Sequence, residues 1–123
     1  MKPNPVTWFE IPVNDLERAK TFYEHTLGVE LSVHEFGPLR MAWFPMHAGA
    51  PGCTGSLVLA PSYVPSHQGS MVYFEVGDIP AALKRAEEKG ATILREKMSI
   101  GEHGFVAHFQ DCEGNRVSLH SSQ

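Results

Sequence analysis

Two glutamates stand where a strand can present a carboxylate for proton transfer. Glu10 lies in the run Trp8, Phe9, Glu10, Ile11, Pro12 and Glu75 in the run Tyr73, Phe74, Glu75, Val76, and in both runs apolar and polar residues alternate. Alternation sends neighbouring side chains to opposite faces of a strand, so Phe9, Ile11 and Val13 share one face while Trp8, Glu10 and Pro12 share the other. In a cavity that lifts a carboxylate's pKa toward neutrality, Glu10 and Glu75 are the candidate catalytic bases. The same parity puts His108, Arg116, Ser118 and His120 on the inner face of two late strands. Arg116 can pair with Glu10 or Glu75, or anchor an anionic substrate. His108 and His120 with either glutamate would make a divalent metal site, although histidines at such positions more often only hydrogen-bond.

Other side chains suit binding more than bond making. Trp8 and Tyr73 can wall a site by stacking a flat or cationic ligand, and Trp43 can do the same or simply fill core. His103, with Gly101 and Gly104 on either side, sits in a loop able to close over a cavity. His25, His47 and His67 read as surface residues. Cys112 lies beside Asp111 and Glu113, which raise a thiol's pKa and argue against a nucleophile.

These residues are positioned by a plan the chain carries twice. Strand, capping Asp and amphipathic helix run over residues 8–28 and recur over 71–90, with Val13, Asp15, Leu16 and Ala19 matched by Val76, Asp78, Ile79 and Ala82. Asp15 and Asp78 cap helices whose buried stripes step by three and four residues, and Gly28 and Gly90 end them. Further strands are expected at residues 30–36, 39–44 and 56–60, then at 92–95, 105–110 and 116–120. The result is an α+β fold of two βαβββ units forming curled mixed sheets around a cavity, with the helices outside. Unit one covers about residues 5–60, a Pro-rich linker 61–69, and unit two 70–123, all within one domain spanning 1–123.

Composition narrows the function classes. With 10 basic and 14 acidic side chains, net charge −4, no cationic stripe is available to neutralise phosphates, which excludes nucleic acid as a partner. No apolar run reaches the length of a membrane span, and the start of the chain lacks the pattern of a secretory signal, so a cytoplasmic protein without a membrane partner is expected. Cys53 and Cys112 lack metal-type spacing and read as thiols.

The paired βαβββ plan, with Val13-Asn14-Asp15-Leu16 leading into Phe22-Tyr23-Glu24, Leu27-Gly28, and residues 111–120 (DCEGNRVSLH) leading into the last strand, resembles the vicinal oxygen chelate superfamily of glyoxalases, bleomycin-resistance proteins and extradiol dioxygenases. The stretches WFP (43–45), YVPS (63–66) and IGEHGF (100–105) are similar to those of a bacterial glyoxalase-like subgroup of unassigned substrate. The resemblance implies a homodimer and isomerase, lyase or oxygenase chemistry at a divalent ion held by His and Glu. At the corresponding positions this chain has Trp8, Met71 and Ser118, and residues 56–60 offer neither carboxylate nor imidazole. The expectation is therefore a small-molecule binding protein of the bleomycin-resistance kind, with no cofactor and with Trp8, Tyr73, His103, His108, Arg116, Ser118 and His120 lining the ligand. The alternatives are a metal-dependent lyase, isomerase or dioxygenase using an off-pattern Glu/His site, and an accessory module with a vestigial cavity.

Overall fold

The computed structural model describes residues 2–123. In chain order the elements are β1 (Trp8–Pro12), α1 (Leu16–Leu27), β2 (Ser32–Phe36), β3 (Leu39–Trp43), β4 (Thr54–Leu59), β5 (Tyr73–Glu75), α2 (Ile79–Glu88), β6 (Thr92–Ser99), a 3-10 turn (Gly101–His103), β7 (Phe105–Gln110) and β8 (Arg116–Ser121). Strands β1-β4-β3-β2 make one sheet and β5-β8-β7-β6 another, each with a parallel first pair (β1/β4 and β5/β8) and antiparallel pairs after it. This is the expected pair of βαβββ units, built as two unclosed sheets. Among the described residues no helix is long and apolar enough to cross a membrane.

Local chemistry sets the helix ends. Asp15 accepts from Arg18 N at 3.0 Å and Asp78 from Ala81 N at 3.0 Å, satisfying N–H groups left free in a first turn. Gly28 closes α1 at φ 69°, its N–H donating to Glu24 O at 2.9 Å. The helices lie against each other, and Arg85 on α2 donates twice to the last-turn carbonyl of Thr26, at 3.2 and 3.1 Å.

Each sheet has one face under its helix and one open face. Ile11, Ala42 and Leu57 of the first sheet and Ala107, Phe109, Val117 and Leu119 of the second are buried in one core with Leu16, Phe22, Ile79 and Leu83. Where the units meet, Phe9, Tyr23, Phe44 and Phe74 pack at centroid separations of 5.4–5.7 Å. Gly55 is required there, because a Cβ would come within 2.2 Å of Phe9 O. Two expected strands differ in length: β6 runs on to Ser99 across two register shifts, and β5 spans only three residues, although Ser118 N still reaches Val72 O.

Candidate functional site

The open face of the first sheet is aromatic. Register sets Glu10 opposite Ser56, Ser56 opposite Trp43 and Trp43 opposite Ser32, so these four share a face. Trp43 is the centre of a stack: His34 lies over it at 3.8 Å and 27°, Phe36 at 6.0 Å and 19°, and Trp8 meets it edge-on at 5.5 Å and 77°. Trp43 Nε1 and Ser56 Oγ, side by side in that row, are buried and have no hydrogen-bond partner among the described residues; a third such atom, Thr26 Oγ1, belongs to α1. Buried donors of this kind carry a desolvation cost until an acceptor arrives. Glu10 accepts from Tyr63 Oη at 2.9 Å, which ties the connecting segment to β1 and raises the Tyr63 pKa through that hydrogen bond.

The second open face is titratable. Tyr73, Ser118, His108 and Arg95 form the matching row across β5, β8, β7 and β6. Ser118 is buried, bonds His108 Nδ1 and donates to Met71 Sδ at 3.1 Å. The bond to Ser118 occupies Nδ1 and leaves Nε2 without a hydrogen-bond partner among the described residues. Burial, then Arg116 and Arg95, lower the His108 pKa, which keeps the imidazole neutral. One row along, His120 Nδ1 donates to Glu75 Oε1 at 2.6 Å and Nε2 to His103 O at 2.6 Å. Both partners are acceptors, so both nitrogens hold protons: the ring is an imidazolium, and the His103 carbonyl and then Glu75 raise its pKa.

The expected site residues thus divide into groups. Tyr73, His108 and Ser118 come together, as do Glu75, His120 and His103, with Arg116 on the same face, while Trp8 and Glu10 belong to the other sheet. Glu10 and Glu75 are not counterparts, since the repeat aligns Glu10 with Tyr73. Arg116 pairs with neither glutamate: Glu10 is held by Tyr63 and Glu75 by His120. Clefts of ≈ 370 Å³, lined by Glu10, Gln68 and Arg116, and ≈ 740 Å³, lined by Phe9, Phe44, Phe74 and Tyr73, run where the units meet.

What the sequence reading passed over is the 111–115 turn. Asp111 and Glu113 are buried carboxylates: Tyr23 Oη donates to Asp111 Oδ2 at 2.5 Å, and Glu113 Oε1 accepts from Asn14 N and Asp15 N at 2.8 Å each. Arg18 Nε donates to Glu113 Oε2 at 2.7 Å, and Asn115 Nδ2 to Pro12 O at 2.8 Å. Burial and the Glu113 hydrogen bond push the Cys112 thiol far up, in keeping with an unreactive cysteine. The available signal was Tyr23, a hydroxyl in an otherwise apolar helix stripe that needs a buried acceptor.

The divalent ion implied by the resemblance does not fit this donor set. Among the described residues no three His, Cys, Asp or Glu side chains converge, and the nearest groupings are pairs already satisfied by each other or by the backbone.

Comparison with known proteins agrees with the architecture. Residues 6–119 match the glyoxalase/bleomycin resistance protein/dioxygenase superfamily. A glyoxylase-like domain-containing protein of Didymella fabae is 29% identical over 120 residues, covering 93% of this chain and 91% of the relative. TnmS3, an antibiotic binding protein from Streptomyces sp. CB03234, superposes with a TM-score of 0.69 at 29% identity, over 100% of this chain and 99% of that one. A glyoxalase I variant from Zea mays shares the fold at a TM-score of 0.69 and 21% identity; this chain covers 98% of itself but spans about half, 47%, of that structure.

Proposed function

The chain belongs to the glyoxalase/bleomycin resistance protein/dioxygenase superfamily, and we propose that it binds a small organic molecule with a planar ring, without a metal, on the faces its helices leave open. The observation that carries this reading is the Trp8, Trp43, His34 and Phe36 array, with the unpartnered Trp43 N–H and Ser56 O–H in its midst. A flat ligand stacks on indole and imidazole planes, and a carbonyl or phenolate oxygen at its edge relieves both donors at once. The antibiotic-binding relative at 29% identity supports the same class of ligand. Glu10, beside Ser56 in the row, sets polarity at the ligand's edge. In this reading the protein is cytoplasmic and a homodimer, exposed Val6 and Met46 offering apolar surface for a second copy.

A thermal-shift screen of aromatic metabolites and polycyclic antibiotics tests the reading, with tryptophan fluorescence as second readout. A ligand present at one hundred times its Kd stabilises by about 2.7 kcal/mol, well within detection. The expected result is a stabiliser that quenches fluorescence and loses its effect in Trp43→Leu and in Ser56→Ala. A hit whose stabilisation survives both substitutions, or a silent screen, would overturn the proposal.

A further inference from the structure

The second sheet's open face carries two arginines for which no carboxylate is provided. Among the described residues no ion pair includes Arg95 or Arg116; the Arg95 side chain hydrogen-bonds only to Met98 Sδ, at 3.4 Å. Register puts Arg95 directly opposite His108 on β7, and Arg116 opposite Gln110, the next residue of β7 on that face. The chain carries a net charge of −4, so two unpaired guanidinium groups flanking one imidazole are not a by-product of a basic surface. Glu75, the carboxylate of this face, is engaged by His120 at 2.6 Å, and Glu10, which lines a cleft with Arg116, is engaged by Tyr63.

We infer that this face holds an oxyanion, a carboxylate or a phosphoryl or sulfonyl group of the ligand, between Arg95 and Arg116, with His108 Nε2 as the third contact. The inference rests on the reading that the open faces bind a ligand, and it names the charge that ligand carries. Guanidinium forks match the paired oxygens of such groups, and the buried Ser118 holds the His108 ring through Nδ1, leaving Nε2 unbonded. In the free protein both arginines oppose protonation of His108. An anion between them cancels that opposition, so its arrival favours the imidazolium, whose Nε2–H donates to the anion. The other groups around the ring do not substitute for this: Tyr73 of β5 lies edge-on at 6.1 Å, His67 of the connecting segment is bonded to Gln110 at 2.8 Å, and the Glu75–His120 pair is neutral as a unit.

The test is a proton NMR titration of the His108 ring from pH 4.5 to 8.5 in three solutions of equal ionic strength: sodium chloride, sodium sulfate and sodium benzoate. Sulfate stands for a tetrahedral group and benzoate for a planar carboxylate, and neither titrates in most of that range. In at least one of them His108 is expected to titrate about one pH unit higher than in chloride, with the anion binding several-fold more tightly at pH 5.5 than at pH 8. Response to sulfate alone assigns a phosphoryl or sulfonyl group, response to benzoate alone a carboxylate, and response to both the shared chemistry. The double variant Arg95→Gln/Arg116→Gln, altered only at exposed side chains, should abolish the difference. An unmoved His108 in both anions, or an equal shift in the double variant, would overturn the inference. Because neither readout uses Trp43, either result leaves the ring-stacking reading to its own fluorescence test.

Discussion

The 111–115 turn and the open sheet faces both gather polar side chains, yet they treat them in opposite ways. In the turn each buried polar atom is answered: Asp111 accepts from Tyr23, Glu113 N, Asn115 N and Asn115 Nδ2, and Glu113 from two backbone amides and Arg18. On the open faces Trp43 Nε1 and Ser56 Oγ go unanswered and two arginines stand unpaired. A folded chain satisfies the polar groups that hold it together, and buried groups left unsatisfied on an open face, unlike Thr26 Oγ1 within α1, are candidates for an outside partner. On the proposed reading, the difference separates residues that staple the two units from residues left for a ligand.

The strongest way to break that division is to remove the staple. Glu113→Ala leaves two amides of the β1–α1 junction and Arg18 without their acceptor, and should cost about 3 kcal/mol in denaturant unfolding. Ligand-induced quenching per folded molecule should stay unchanged. Burial opposes ionisation of Glu113, but Arg18 and the Asn14 and Asp15 amides win and lower its pKa. Its contribution is thus present above the carboxyl's ordinary value of 4.5 and fades as pH falls through the lowered one, so the variant should lose the steepest part of acid unfolding. A variant as stable as the parent would erase the contrast. Tyr23→Phe is gentler, since Asp111 keeps its other donors, and about 1 kcal/mol is expected by the same measurement.

How far the division could be read beforehand depends on which interactions are local. Alternation placed Glu10, Tyr73, Glu75, His108, Ser118 and His120 on faces away from the helices, and the capping aspartates and the doubled plan marked both units. Partnerships were hidden, because they come from register. The shifts between Ile93, Arg95 and Met98 decide that Arg95 faces His108, and nothing in the pattern of residues 92–99 announces them. The turn's carboxylates were passed over for a related reason: Asp, Glu, Gly and Asn are ordinary turn residues, and only the approach of Tyr23 and Asn14 from the other unit buries them.

On the ligand side the contrast predicts substitutions that stability barely notices. Ser56→Ala removes a buried hydroxyl with no partner, so unfolding free energy should change by less than about 0.5 kcal/mol, or rise, while ligand-induced stabilisation falls. A loss of 2 kcal/mol or more in the free protein would move Ser56 to the staple's side.

His120 sits between the two categories, and the effect expected of it is the smallest. It is satisfied on both nitrogens, yet it lies on an open face, and what it fastens is the 101–104 turn rather than the core. That turn is tightly seated: at Gly104, φ 103°, a Cβ would meet Ser121 O at 2.3 Å. Because the folded pKa of His120 is raised, both contacts are complete below the ordinary histidine value of 6.5 and one is lost as pH climbs through the raised value. Hydrogen exchange at the Gly104 amide, corrected for its intrinsic pH dependence, should accelerate several-fold across that transition while amides of β7 and α1 stay protected. His120→Gln, whose amide does not titrate, should flatten the profile. If protection at Gly104 is the same at pH 5.5 and pH 8.5, the ring does not hold the turn as an imidazolium, and the turn's seating comes from backbone packing alone.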